Sequence, residues 1–210
     1  YEWSEPTLSL GYFQSIAEVE GNARWRGVPV VRRPSGGGAI LHDREVTFTL
    51  AMPIDHPLSR RSSALYRAVH DAVSRTLSDL GVLAIRRGTT RDQSDDRIRP
   101  FLCFQDRDPE DLVVGPWKLV GSAQRRRAGA VLQHGSLPLG RSKWTPELPG
   151  LHDLTDVDAT AVDWPETLRR GVPPQLGLRV RSGDWPPTLL ARAAELSAEV
   201  YSQARWTRRR

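Results

Sequence analysis

Cysteine and lysine are scarce in this sequence. Its 210 residues include one cysteine, Cys103, and only two of its 30 basic residues are lysines, Lys118 and Lys143. A single cysteine excludes a disulfide within the chain, so nothing favours an oxidising compartment and we expect a cytoplasmic protein. No apolar run approaches the ~18 residues that a membrane span needs, and no signal peptide is recognisable. The sequence predicts a single globular domain over residues 1–210.

Positive charge is in excess, with 30 Lys and Arg against 25 Asp and Glu, a formal net charge of +5. A basic surface favours acidic partners. The arginines are scattered in short clusters, and no nucleic-acid-binding motif accompanies them, so we do not expect nucleic acid as the partner. We interpret the individual arginine clusters as solvated surface.

The hydrophobic pattern predicts that strands dominate the first two-thirds of the chain and that helices flank them. Strands are expected at Thr7–Tyr12, Val28–Arg33, Val46–Leu50, Val82–Ile85, Leu112–Val114, Leu119–Ala123 and Ala130–Leu139. An apolar stripe at helical spacing predicts a helix from about Leu65 to Leu80, capped by Ser62 or Ser63 and closed by Gly81. A short helix is expected after Pro165, an amphipathic one over Leu189–Val200, and a polar loop at residues 88–99. The class is α+β, with a mixed, largely antiparallel sheet flanked by helices.

Cys103 and Lys118 are the candidates for catalysis. A lone cysteine is commonly a small buried hydrophobe, and Phe101, Leu102 and Phe104 suit burial, but Cys103 also follows a polar loop of the kind that carries catalytic groups. Lys118 is retained in a chain that uses arginine almost everywhere else, which indicates a position where guanidinium cannot replace the compact ammonium. Thiol and amine are the groups most readily tuned into a nucleophile and a proton carrier near neutral pH. The pattern points to acyl transfer.

Glycine-rich segments flank these two residues. Gly36–Gly38 matches neither the Walker nor the dinucleotide pattern, and bare backbone there would let an acyl chain lie against it. His42 and His134 have no ligand-spaced partner, so we expect no metal. A dyad of Cys103 with one of these histidines stays open, although no local signature of thiol proteases is present.

Taken together, the segments resemble the biotin/lipoate protein ligase superfamily. The resemblance is carried by TLSLGYFQ at 7–14, RRPSGGGAILHD at 32–43 and KLVGSAQRRRAGAVLQHGS at 118–136. Within it, the Cys103-Phe104 pair ahead of the lysine segment is similar to that of the cysteine-dependent octanoyltransferases of lipoate assembly. From this comparison we expect the family's usual N-terminal strand and helix to be missing. Residues 138–183 match no family pattern, and 140–210 form the C-terminal part of the expected domain.

The resemblance implies a biotin/lipoate ligase-like catalytic domain and a two-step reaction without a cofactor. Cys103 would take an octanoyl group from acyl carrier protein as a thioester. It would pass the group to a lysine of the lipoyl domain of a 2-oxoacid dehydrogenase E2 subunit, or to a lysine of glycine-cleavage H protein. Lys118 would polarise the carbonyl and shuttle protons. The implied substrate-binding residues are Arg33, Ser35, Gly36, Gly37, Gly38, His42, Gly121, Ser122, Gln133, His134 and Gly135.

Two alternatives stay open. An ATP-dependent lipoate–protein ligase of the same superfamily would make an acyl-adenylate with ATP and magnesium and needs no cysteine. Such ligases commonly carry Gly-Asn after the His-Asp pair, where this chain has Arg44-Glu45, and many have a further C-terminal domain. The other alternative is a non-catalytic module that binds lipoyl domains or nucleic acid, against which the retained Cys103, Lys118 and glycine segments argue.

Overall fold

The structure, a computed structural model, describes residues 1–88, 100–158 and 161–209. The strands are β1 Thr7–Leu10, β2 Val30–Arg32, β3 Ile40–His42, β4 Glu45–Pro53, β5 Ile85–Arg86, β6 Leu112–Val114, β7 Trp117–Arg127 and β8 Ala130–Pro138. The α-helices are α1 Ala17–Glu20, α2 Ser62–Ser78, α3 Leu151–Leu154, α4 Trp164–Gln175, α5 Pro187–Leu196 and α6 Ala204–Thr207. Short 3-10 turns lie at Ala23–Trp25 and Pro57–Ser59, and a π turn at Ser197–Tyr201 extends α5.

A small mixed sheet has the strand order β2-β1-β3. Its central strand β1 is parallel to β2, with Leu8 opposite Val30, and antiparallel to β3, with Leu8 opposite Leu41. Because β2 and β3 flank β1 on its two sides, the glycine-rich segment 34–38 crosses the end of β1. The sheet thereby fixes both ends of that segment.

A larger antiparallel sheet has the order β4-β8-β7-β6-β5. Strands β7 and β8 form a tight hairpin whose turn residues Ala128 and Gly129 both have positive φ, 50° and 75°, as the tight two-residue turn requires. The register sets Gly121 opposite Ser136, and Ala123 opposite His134. The hairpin therefore aligns the two polar and glycine-rich segments side by side.

Helix α2 packs its apolar stripe on the larger sheet, and α4 packs on α2 and β4. The buried residues of α2 fall at helical spacing and include Leu65, Val69, Val73 and Leu77. They join Leu112, Leu119 and Leu137 of the sheet, together with Trp164 of α4, in the main core. A second apolar cluster, which includes Leu8, Leu10 and Trp25, lies against the small sheet. The core positions match the periodicity that predicted α2.

The predicted class, α+β with a mixed and largely antiparallel set of strands, agrees with this architecture. The N-cap of α2 is Arg61, without a side-chain cap, so the predicted cap by Ser62 or Ser63 is wrong. The predicted strand Val82–Ile85 is reduced to Ile85–Arg86. The predicted loop at 88–99 lies, beyond residue 88, outside the described residues.

The predicted amphipathic helix near the C-terminus forms, but none of the residues of α5 is buried. The segment is instead attached through α6, where the Trp206 indole donates to the Arg32 carbonyl at 2.8 Å. No helix in the described ranges is long and apolar enough to cross a membrane.

Candidate active site

Cys103 is held against the glycine-rich segment by backbone hydrogen bonds. The amide of Ala39 donates to the Phe101 carbonyl and the amide of Cys103 donates to the Ala39 carbonyl, both at 2.8 Å. Gly38 permits this approach, because a Cβ there would stand 2.9 Å from the Cys103 nitrogen and 3.0 Å from the Phe101 oxygen. Position 38 therefore has no room for a side chain. Cys103 itself is partly exposed.

The ammonium of Lys118 contacts Cys103 directly. Its Nζ lies 2.8 Å from Oδ2 of Asp111, 3.1 Å from the Cys103 carbonyl oxygen and 3.7 Å from the Cys103 sulfur. An ammonium has three N–H donors, and these three contacts account for them. The Lys118 side chain crosses Gly121, where a Cβ would stand 2.5 Å from Cε. Asp111 and Gly121 therefore direct one donor of Lys118 at the sulfur.

The Lys118 side chain is buried, only 6 % exposed. Burial acts to lower its pKa, but the negative charges of Cys103 and Asp111 and the hydrogen bond with Asp111 outweigh it, so the pKa of Lys118 lies above its ordinary value. Lys118 is therefore an ammonium at neutral pH. It stabilises negative charge on the Cys103 sulfur and has no site free to accept that thiol's proton.

The buried guanidinium of Arg33 holds the glycine-rich segment by its carbonyls. It donates to the carbonyls of Ser9, Gly36 and Gly38 at 2.8, 2.9 and 2.6 Å. The hydroxyl of the buried Ser35 is hydrogen bonded to Nε2 of His134. Burial first, then the charges of Arg33 and His42, lower the pKa of His134 to about 4. Its imidazole is therefore neutral near pH 7.

A narrow cleft lies between the glycine-rich segment and the β7–β8 hairpin. Its lining residues are Arg33, Gly36, Gly37, Ile40, His42, Thr47, Cys103, Phe104, Gly121, Ser122, Ala123, His134, Gly135 and Ser136. The lining is mostly apolar or bare backbone, which suits an acyl chain. Within the described ranges, no three His, Cys, Asp or Glu side chains form a cluster able to hold a metal ion.

On one side of this cleft His42 is fixed by a buried carboxylate. Its Nδ1 lies 2.5 Å from Oε1 of Glu45, which also accepts the Thr47 hydroxyl at 2.6 Å. The indole of Trp3 stacks on the imidazole with ring centroids 4.1 Å apart and donates to the Thr47 hydroxyl. Because Nδ1–H donates to this carboxylate, Nε2 is the ring nitrogen left to accept or release a proton.

A polar chain lies behind the cleft and starts at His70 of α2. His70 is fully buried, and its Nε2 is 2.8 Å from the Ser122 hydroxyl, which accepts from the Gln133 amide at 3.0 Å. The other nitrogen, Nδ1, is bonded to the Glu110 carbonyl. Burial lowers the pKa of His70, so it stays neutral and can accept the Ser122 proton. These hydrogen bonds fix β7 at Ser122, on the strand that carries Lys118.

The structure brings the predicted site residues together around Cys103, although not all of them line the cleft. Arg33, Gly36, Gly37, His42, Gly121, Ser122, His134 and Gly135 line it with Cys103. Lys118 contacts Cys103 at the edge of the lining set. Ser35, Gly38 and Gln133 are instead set behind it, where they position lining residues.

Three residues of the site were not predicted from the sequence: Asp111, Glu45 and His70. Asp111 immediately precedes β6, which pairs with the start of β7. The predicted Gly115-Pro116 turn joins these two strands, so it could have indicated that Asp111 lies near Lys118. His70 lies next to Val69 on the buried side of α2, and a histidine in an apolar stripe requires a polar partner. For Glu45, the only signal in the sequence was its position three residues after His42.

Comparison with known proteins assigns the chain to a class. Residues 1–143 match the lipoyl protein ligase A/B catalytic domain, and the chain belongs to this family. This match confirms the superfamily that the motifs resemble.

Relatives within the family are octanoyltransferases. The chain is 32 % identical to octanoyltransferase LipM of Kyrpidia tusciae over 239 aligned residues, which cover the whole chain and 86 % of that protein. It is 40 % identical to octanoyltransferase LipM of Moorella thermoacetica over 144 residues, 66 % of this chain and 52 % of that protein. Over 98 % of its length it is 26 % identical to octanoyltransferase LipM of Staphylococcus aureus, covering 84 % of that protein. These relatives support an acyltransferase enzyme.

Solved structures confirm the ligase-like fold. A crystal structure of lipoate-protein ligase A bound with ATP superposes with a TM-score of 0.75 at 25 % identity, over 97 % of this chain and 82 % of that one. The bi-partite lipoate protein ligase of Thermoplasma acidophilum, studied with its E2 lipoyl domain, gives a TM-score of 0.70 at 20 % identity, over 99 % and 86 %.

Proposed function

We propose that this protein transfers an octanoyl group from acyl carrier protein to a lysine of a lipoyl domain, through a thioester on Cys103. The relatives support octanoyl transfer in lipoate biosynthesis. The observation that carries the mechanism is the contact of the Lys118 ammonium with the sulfur of Cys103 at 3.7 Å, beside a cleft lined mostly by apolar groups and bare backbone.

The first half-reaction loads the enzyme. The Cys103 sulfur attacks the carbonyl carbon of the carrier-bound thioester, the new carbon–sulfur bond forms, and the bond to the carrier's sulfur breaks. The carrier leaves as a thiol with the proton that Cys103 gave up. Lys118 stabilises the thiolate, and its positive charge beside the sulfur then stabilises the negative charge that develops on the oxygen of the carbonyl under attack.

The second half-reaction releases the acyl group as an amide. The neutral amine of an acceptor lysine attacks the thioester carbon, an amide bond forms, and the Cys103 sulfur leaves as a thiolate beside Lys118. One proton leaves the acceptor nitrogen. The donor is already activated in both steps, so we propose that no cofactor takes part.

We assign His42 as the proton carrier. Lys118 is already an ammonium and His134 is bonded through Nε2 to Ser35, whereas Nε2 of His42 has no hydrogen-bond partner in the described part of the chain. Glu45 behind it would stabilise the imidazolium formed when Nε2 takes a proton.

Replacing His42 by Asn tests this role. An asparagine amide can still donate to Glu45 but lacks the proton acceptor toward the cleft. We expect both half-reactions to slow by about 100-fold near pH 7, the scale of losing one acid–base group. The slowing should shrink at higher pH, where the thiol and the acceptor amine lose their protons without help. A uniform loss at every pH would show that His42 only shapes the cleft.

The acceptor class and the location follow from the same reasoning. We propose lipoyl domains of 2-oxoacid dehydrogenase E2 subunits or glycine-cleavage H protein as acceptors, and acyl carrier protein, which is acidic, as the donor that suits a net charge of +5. We place the reaction in the cytoplasm, where a lone thiol stays reduced.

Intact mass of the enzyme tests the covalent step. Wild-type protein mixed with octanoyl-carrier protein, without ATP, should gain the mass of one octanoyl group, and hydroxylamine should remove it as it does a thioester. Cys103→Ala should gain nothing and fold as the wild type does. An alanine variant that still transfers octanoate at the wild-type rate would refute the mechanism.

A ligase activity is the second candidate, favoured by the likeness to an ATP-bound lipoate-protein ligase. It would activate free lipoate as an adenylate and leave Cys103 unmodified. The same mass measurement separates the two, because only the transferase becomes acylated at Cys103.

A further inference from the structure

Arginines without acidic partners gather at one end of the β7–β8 hairpin. Several arginines elsewhere form ion pairs, for example Arg170 with Glu166 and Arg192 with Glu195. Arg125 and Arg209, by contrast, have no carboxylate within ion-pair distance in the residues that the structure describes. Both belong to segments that meet at Tyr12.

Two guanidinium groups share the ring of Tyr12. The guanidinium carbon of Arg125 lies 5.3 Å from the ring centroid and that of Arg209 lies 4.3 Å from it. Arg209 also lies 4.9 Å from the ring centroid of Trp206, which packs on Tyr12. Two like charges that contact the same ring repel each other. A bound anion would remove that repulsion.

This aromatic–arginine platform, made of Tyr12, Arg125, Trp206 and Arg209, borders the cleft. The amide of Tyr12 donates to the Ser35 carbonyl at 2.8 Å, immediately before Gly36 and Gly37 in the lining. Arg125 lies two residues beyond the lining residue Ala123 on β7, and therefore on the same face of the strand. An anion on the platform can thus be attached to a group that extends along the cleft to Cys103.

The platform is also held in place. The buried Arg32 donates to the carbonyls of Gly11 and Tyr12 at 2.9 and 3.2 Å and to the Thr207 carbonyl at 2.8 Å. One side chain thereby ties the Tyr12 segment to α6, which carries Trp206 and precedes Arg209. The four platform groups are positioned by the fold rather than brought together by chance at a surface.

We propose that this platform binds the phosphodiester of the phosphopantetheine arm on which the donor's acyl group is carried. The inference rests on the proposed function. A phosphate presents several oxygens to planar guanidinium forks, which bind it in bidentate geometry. The acceptor, in contrast, presents a lysine, whose charge two unpaired guanidiniums would repel. The platform therefore recognises the donor.

The test uses the loading half-reaction with two donors, octanoyl-carrier protein and octanoyl-N-acetylcysteamine, a thioester without phosphate. Arg125→Ala and Arg209→Ala are each expected to raise KM for the carrier-bound donor by about 10-fold, the scale of one charge-assisted hydrogen bond. Neither should change loading from the phosphate-free thioester by more than about 2-fold. Arg125→Lys should recover part of the lost affinity.

Arg170→Ala is the matched control, since it removes the same charge from an exposed ion pair on α4. It should leave KM for both donors unchanged. Equal losses with both donors would show that the platform only supports the cleft. A loss confined to transfer from acylated enzyme to the lipoyl domain would assign the surface to the acceptor, and unchanged kinetics would leave it without a ligand. Each of these three results overturns the proposal. Failure of wild-type Cys103 to load from either donor would instead overturn the proposed function itself.

Discussion

The side chain of Lys118 carries a positive charge into a part of the protein where little water reaches it. Asp111 compensates that charge, and the remaining donors are directed at the backbone and sulfur of Cys103. An arginine would keep the charge but place a planar fork where a single nitrogen now stands, and Gly121 leaves room only for the narrow alkyl chain. The ammonium is thus matched to this position by shape as well as by charge.

We therefore expect Lys118→Arg to lower the rate of enzyme loading by at least about 100-fold, the usual effect of losing one electrostatic group at a reacting centre. Single-turnover loading of octanoate, followed by mass, measures it. Lys143→Arg is the matched control because Lys143 is the other lysine of the chain and is exposed, and it should behave as wild type. A Lys118→Arg protein within a few-fold of wild type would reduce Lys118 to a structural role.

The imidazole of His134 predicts how the stability of the fold depends on pH. Its pKa is lowered to about 4 in the folded protein, whereas an unfolded histidine titrates near 6.5. Between these values the unfolded chain binds more protons, so the stability contribution is full above pH 6.5 and falls as the pH drops toward 4. We expect a loss on the order of 2–3 kcal/mol from this group. The free energy of unfolding, measured by urea denaturation at a series of pH values, should fall less steeply between pH 6.5 and 4 in His134→Gln. An unchanged slope would contradict the assignment of this pH dependence to His134.

Among the elements, the bridge between the glycine-rich segment and the Cys103 segment depends most on a single residue. Gly38→Ala would place a methyl group against the backbone of Cys103 and Phe101, neither of which is free to move aside. We expect loading to slow by about 100-fold, because displacement of a reacting group by about an ångström has that effect. Gly183→Ala is the control, since its Cβ would meet nothing within 4 Å and Gly183 does not line the cleft. Equal rates for the two variants would contradict this reading.

Elements set by local patterns were predictable from the sequence. Helix α2 follows from apolar residues at helical spacing, and the β6–β7 connection follows from Gly115-Pro116. Contacts between distant elements were not, because nothing local in α2 specifies that His70 meets Ser122. Helix α5 was predicted correctly as a helix, but its apolar stripe is exposed. Such a stripe indicates a helix without indicating whether another element covers it.

At the scale of the whole molecule, two activities share one architecture: ATP-dependent ligation and octanoyl transfer. The fold matches ligases, including one bound with ATP, while the curated relatives are octanoyltransferases. In this chain a cysteine lies beside the buried lysine. A shared fold alone does not decide the reaction, and the groups at the cleft do.

Nucleotide dependence decides between the two activities. A carrier-bound thioester already has a good leaving group, so no adenylate is required, whereas free lipoate must first be activated with ATP. We expect octanoyl-carrier protein and an apo-lipoyl domain to react to completion in the presence of EDTA and without ATP. Free lipoate or octanoate with ATP and magnesium should give little product, and Cys103→Ala should remove the first reaction. Modification from the free acid alone, dependent on ATP and unaffected in Cys103→Ala, would assign the protein to the ligases and leave Cys103 as a packing residue.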